Sequence, residues 1–120
     1  MKRDKYDELI HELMLATMSG KIGWEVTNSG NGFQVKIGNN SVSIFCCDSY
    51  KVASIVGGED SEIQSGTLTI INAKGESIEF YTRRKDDVGF EQLKELFVKI
   101  RRKINKVDEV IVDILKELEK

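Results

Sequence analysis

The chain has no proline, one histidine, one tryptophan and two cysteines among its 120 residues. Each scarcity excludes something. Without proline, no kink or turn can be assigned to one. The cysteines are neighbours, Cys46 and Cys47. On a strand, adjacent side chains point to opposite faces, so a bridge between them would be strained. Two thiols without clustered histidines are too few for a zinc site, and both read as small structural hydrophobes. His11 has no second imidazole to work with and reads as a boundary residue beside an apolar stripe. Long apolar runs are missing too: none approaches the roughly 18 residues that span a bilayer. The opening MKRDKYDELIHEL turns acidic and amphipathic at once, unlike a secretory signal, and a cytoplasmic location is expected. With 18 basic and 20 acidic residues the net charge is −2, which gives no global pull towards nucleic acid or anionic lipid.

What is present suits one α+β domain over 1–120 with a single core, at 40% apolar and 32% charged residues. Tyr6, Leu9, Ile10, Leu13, Met14 and Thr17 recur at helical spacing, predicting an amphipathic helix over 4–19. Asp4 is placed to cap it, and Gly20 to end it in the left-handed conformation. From Trp24 the period changes to 2, and a six-stranded antiparallel meander is expected over 23–83. Its strands are the Trp24–Val26 lead-in, Phe33 to Ile37, Val42 to Cys47, Tyr50 to Val56, Thr67 to Ile71 and Glu76 to Thr82. The turns between them are Asn28 to Gly32, Gly38 to Asn40, Asp48-Ser49, a loop from Gly57 to Gly66, and Asn72 to Gly75. One sheet face is then covered by helices, the other open around Phe45 and Tyr81.

The C-terminal third carries the most regular pattern. Phe90, Leu93, Phe97, Ile100, Ile104, Val107, Ile111, Ile114 and Leu118 follow at alternating spacings of 3 and 4, a heptad-type seam. One continuous helix from Val88 to Leu118 would run about 45 Å, against about 35 Å for a compact domain of this size. Either the helix breaks near Asn105, giving helices over 88–104 and 108–119, or its far half packs on a partner. The Lys-Val-Asp-Glu after Asn105, acceptable as an αL cap, favours the break.

No catalytic, metal or cofactor site emerges, so no enzymatic activity is expected. The acids of the Gly57–Gly66 loop lack the alternation of a calcium loop. Asp86-Asp87 sit where N-capping of the following helix explains them. The one polar feature is basic. Residues 83–106 hold nine Lys or Arg against four acids, and 107–120 five acids against two lysines. Arg83, Arg84, Arg101 and Arg102 are candidate ligands for the phosphate of a nucleic acid or nucleotide. The same polarity suits contact between copies of the chain or with another protein. The order of Trp24 after a first helix, a meander, Leu96-Phe97, Arg101-Arg102, Val107-Asp108-Glu109 and an apolar tail resembles small uncharacterised bacterial and phage proteins. That resemblance implies a stand-alone accessory or inhibitor protein and no activity. The expectation is therefore a non-enzymatic interaction module, forming a homodimer, with Phe45, Tyr81, Val107, Val110, Ile111, Ile114, Leu115 and Leu118 as its contact surface. The alternative is the phosphate-ligand binder.

Overall fold

A computed structural model describes residues 5–28, 32–48 and 63–120. Helix α1 spans Lys5–Met18. Five strands follow: β1 Glu25–Val26, β2 Gly32–Ile37, β3 Asn40–Asp48, β4 Ile63–Ile71 and β5 Ser77–Arg84. Helices α2, Phe90–Ile104, and α3, Val107–Leu118, end the chain. The strands form one antiparallel sheet in sequence order. The fold is α+β with helices at both ends.

The sheet has five strands where six were expected. The expected Tyr50–Val56 strand lies outside the described residues, and β3 pairs directly with β4 from Ser41↔Ile71 to Asp48↔Ile63, so no strand intervenes between them. Nor are Ile63 to Gly66 loop: β4 begins four residues before the expected Thr67, because these residues continue the β3 pairing beyond an irregularity at Cys47/Asp48. The remainder of the expected acidic loop, Ser49 of the expected Asp48-Ser49 turn, the middle of the Asn28–Gly32 turn and the Asp4 cap also fall outside the described residues, whereas Asp48 is the last residue of β3 and not a turn. Gly20 adopts the positive φ expected of it, 78°, and Gly75 closes the Asn72–Gly75 turn at a positive φ of 85°.

Register fixes which side is the core. Val26, Phe33, Ile44, Leu68 and Tyr81 are successive cross-strand partners, and because side chains alternate, this row lies on one face. Helices α1 and α2 cover it. Leu93, Leu96 and Ile100 of α2 are fully buried, as is Leu68 beneath them. Burying each such side chain contributes about 1.5–3 kcal/mol. Phe97 packs on Phe33 with ring centroids 5.3 Å apart, and Tyr6 of α1 stacks on Tyr81 at 4.4 Å. Gly66 makes the close approach of α2 feasible. A Cβ there would stand 3.1 Å from both Leu93 Cδ2 and Cys46 Sγ.

The helices start beside β5 and end beside Trp24. Gly89, just before α2, sits against the Tyr81 hydroxyl. At the other end, Trp24 Nε1 donates to Thr17 Oγ1 at 2.9 Å, and that hydroxyl donates to the Leu13 carbonyl at 2.6 Å. Lys103 of α2 donates its ammonium to the Thr17 carbonyl, placing a cation at the C-terminus of α1, where the helix dipole favours one. Four interstrand gaps span roughly 19 Å, and the 15 residues of α2 rise about 22 Å. One helix of this length crosses the sheet once, and its seam runs out at Ile104.

The expected N-cap of α2 is corrected. Asp86 is in the left-handed region at φ 77°, and the Asp87 carboxylate turns back to accept the Arg84 N–H at 2.7 Å. The helix therefore starts at Phe90, after Gly89 at φ 89° with no side-chain cap, and Val88 lies outside it. Thr17→Val is expected to cost about 1–3 kcal/mol by leaving the Trp24 N–H unpaired in the core. Urea unfolding followed by the fluorescence of this single tryptophan checks it. Gly89→Ala is expected to cost about 2 kcal/mol or more, since a Cβ there meets both the left-handed penalty and the Tyr81 hydroxyl. An unchanged unfolding midpoint in either variant would contradict the packing described.

Candidate interaction surface

The elbow between α2 and α3 decides what the second half of the seam can touch. Asn105 remains right-handed at φ −79°, ψ −2°. The residue that breaks the helix is Lys106, at φ 52°, ψ 44°, so the left-handed cap expected at Asn105 is displaced by one. A lysine there costs about 1–2 kcal/mol relative to glycine. The Lys103 carbonyl accepts the Lys106 N–H at 3.2 Å, and the Lys106 carbonyl then accepts the Val110 N–H at 3.0 Å, which starts α3. Across the elbow, Arg102 meets Asp108 at 3.1 Å. Both are exposed, and such a pair contributes well under about 1 kcal/mol.

None of the residues of α3 is buried. At 100° per residue, Val107, Val110, Ile111, Ile114, Leu115 and Leu118 share an arc of about 140°. Asp108, Glu109, Asp113, Lys116 and Glu117 occupy the rest, together with one apolar residue, Val112. This is the pattern of a helix with one covered face, yet Ile114 and Leu115 are each 53% exposed and Leu118 75%. The radius of gyration, 15.9 Å, exceeds the about 14 Å of a compact chain of this length, as expected when a helix stands off the core. Beside its base is a shallow hollow of about 340 Å³ lined by Ile22, Trp24, Ile100 and Ile104, with Lys103 and Lys106 at its rim.

The second apolar surface is the open sheet face. Phe45 lies on it as expected, 38% exposed. Tyr81 does not. It is the outermost member of the core row, buried to 5% beneath Tyr6, with the Arg83 guanidinium 3.9 Å from its ring centre. Because adjacent residues alternate, the open face of β5 presents Ile78 and Phe80 instead, 56% and 64% exposed. Between them and Phe45 lie Thr67 and Thr69, the cross-strand partners of Thr82 and Phe80, and the Thr67 and Thr82 hydroxyls are hydrogen-bonded at 3.0 Å. The sequence held this signal only weakly: β5 carries charges, Glu79 and Arg83, on its covered side and apolar Ile78 and Phe80 on its open one.

The four candidate arginines are not brought together. Arg83 donates Nε to the Val88 carbonyl at 3.1 Å and Nη1 to the Thr82 carbonyl at 2.8 Å. It lies in a hollow shared with Asp7 and Asp87, whose carboxylates oppose an incoming phosphate. Arg84 is exposed at the strand end. Arg101 and Arg102 sit at the far end of α2, about 17 Å along the helix from Phe90. Arg101 lies 5.6 Å from the Phe97 ring centre, and Arg102 faces Asp108. Helix length separates the two pairs, so they do not form one phosphate site.

His11 is exposed on α1, and Cys46 and Cys47, half-buried and exposed, are not in a disulfide. Among the described residues no three His, Cys, Asp or Glu side chains come together as metal ligands, and no buried side-chain polar atom lacks a partner. Among them also, no helix is long and apolar enough to cross a membrane. Comparison with known protein families, curated proteins and solved structures finds no match.

The two halves of the seam should respond oppositely to substitution. Ile100→Ala is expected to cost about 2–5 kcal/mol. Ile111→Lys with Ile114→Lys is expected to stay within about 0.5 kcal/mol per site. Denaturant unfolding of dilute protein measures both, and a large loss from the α3 pair would show that α3 belongs to the core.

Proposed function

We propose that this chain is a non-enzymatic protein-interaction module that works as a homodimer, with the apolar stripe of α3 as its principal contact. The observation that carries this reading is the stripe itself: six large apolar side chains on one arc of a helix, none of them buried. Contiguous exposed apolar surface of this kind marks interaction sites rather than ordinary monomer surface. The occupant we favour is the α3 of a second copy, since two identical stripes are complementary to each other about a two-fold axis. Charge supports it. Residues 107–120 carry a net −3 and residues 83–106 a net +5, so the acidic flank of one α3 can face the basic end of the other copy's α2. An accessory or inhibitor role in a bacterium or phage follows from the resemblance in the order of elements. Phe45, with Phe80 in place of Tyr81, forms a second and separate apolar patch on the open sheet face.

Light scattering tests the reading. The chain, of 13.6 kDa, is expected to self-associate, and Ile111→Lys with Ile114→Lys to weaken that association at least about tenfold, or 1.4 kcal/mol. Added salt should weaken the acidic–basic part of the contact. A chain that is monomeric at every concentration, at low and high salt alike, would contradict the homodimer.

A further inference from the structure

The outer edge of β5 invites a second partner at the end of the sheet opposite to α3. Lys85 donates its N–H to the Gln64 carbonyl at 2.8 Å, continuing the ladder to β4. By alternation, the backbone groups of Arg83 and Tyr81 also face β4, and those of Arg84, Thr82 and Phe80 face outward. One end of this outward row is closed. The Arg84 N–H goes to the Asp87 carboxylate at 2.7 Å, its carbonyl accepts the Asp87 N–H at 2.9 Å, and the Thr82 carbonyl is held by Arg83 Nη1. The other end is interrupted by the irregularity at Ile70/Ile71, where Ile71 pairs with Ser77 and Ile78 is the extra residue. Such bulges are a usual means of blunting an edge. Between the two lies Phe80. Among the described residues its outward N–H and carbonyl, and the Thr82 N–H, have no partner.

We propose that this gap is a self-pairing edge, where a second copy of the chain adds its own β5 antiparallel about a two-fold axis at Phe80. The register follows from the residues. With the axis at Phe80, the two Phe80 residues exchange their N–H and carbonyl groups and lie side by side on the open face. Glu79 then faces Tyr81 of the second copy, and the pairing stops at the Ile78 irregularity on one side and at the closed Arg84 on the other. Aromatic pairs are favourable cross-strand neighbours. Moving the axis one residue to Glu79 would place two glutamates opposite each other and turn inward groups to the contact. Proline and lysine, two residues that commonly guard an edge, are absent at the gap: the chain has no proline, and Ser77 to Thr82 contain no lysine. The opposite edge of the sheet is only the two-residue β1.

This goes beyond the α3 reading and is separable from it, because α3 leaves the core beside Trp24 and β5 lies at the other edge. The experiment uses the full chain carrying Ile111→Lys and Ile114→Lys, so that α3 no longer contributes. Light scattering across concentrations is expected to show a dimer still forming. Adding Phe80→Pro is expected to raise the dimer dissociation constant about tenfold or more. Proline there removes an outward N–H and no bond to β4, so circular dichroism should be unchanged. Phe80→Lys, which keeps the N–H but places a charge at the axis, should weaken the dimer in the same direction and decides the matter if the proline variant does not fold. A monomer at every concentration before Phe80 is changed would overturn the proposal while leaving the α3 contact standing. A dimer indifferent to both Phe80 substitutions would overturn it equally.

Discussion

The structure depends on the seating of α2 across the sheet. Leu93, Leu96 and Ile100 lose all contact with solvent there, and Leu68 beneath them does too. The constraint is one of close approach. Gly66 leaves room for Leu93, and Gly89 bends the chain against the Tyr81 hydroxyl so that α2 begins over β5. Once the helix is seated, the rest is determined by length. It crosses a five-stranded sheet in 15 residues and arrives at Trp24, where Thr17 and Lys103 tie it to α1.

The independence of α3 follows from the same fact. The seam continues past Ile104, but the sheet beneath it has ended. Lys106 turns the chain through a left-handed residue, and α3 carries its apolar stripe away from the core. Packing accounts for the first half of the seam, and nothing in the described residues accounts for the second. A helix of 12 residues is marginal on its own in water, and this is the ground on which a partner for the stripe is proposed. The two proposed contacts share this logic: in each, a regular element carries apolar side chains at a place where the described residues offer no cover.

Much of the fold is legible in the residues. The 3.6-period stripe of α1, the change to period 2 after Trp24, the Asn72–Gly75 turn and the seam after Gly89 all correspond to observed elements. What the residues did not disclose has physical causes. Tyr81 and Phe80 are adjacent aromatics, and local alternation cannot say which faces the core. Only the cross-strand row through Leu68 and Ile44 decides it, and that is tertiary information. Charge misleads further, because Glu79 and Arg83 occupy the covered side of an edge strand where the helices no longer shield it fully. Asp86-Asp87 resemble a cap, but the short turn after β5 takes Asp87 for itself. The four arginines are close in composition and separated in space by one helix. A run of basic residues records proximity along the chain, not convergence on a ligand.

The central claim is that α3 is held by a partner rather than by its own core, and amide hydrogen exchange measured over a range of protein concentrations tests it most directly. Amides of α2 between Leu93 and Ile100 should be protected equally at all concentrations, being part of the folded core. Those of α3 between Val110 and Leu118 should exchange freely in dilute protein and become protected as concentration rises. Protection of α3 equal to that of α2 in the most dilute sample would contradict the account, because it would show that the helix is stabilised by its own chain.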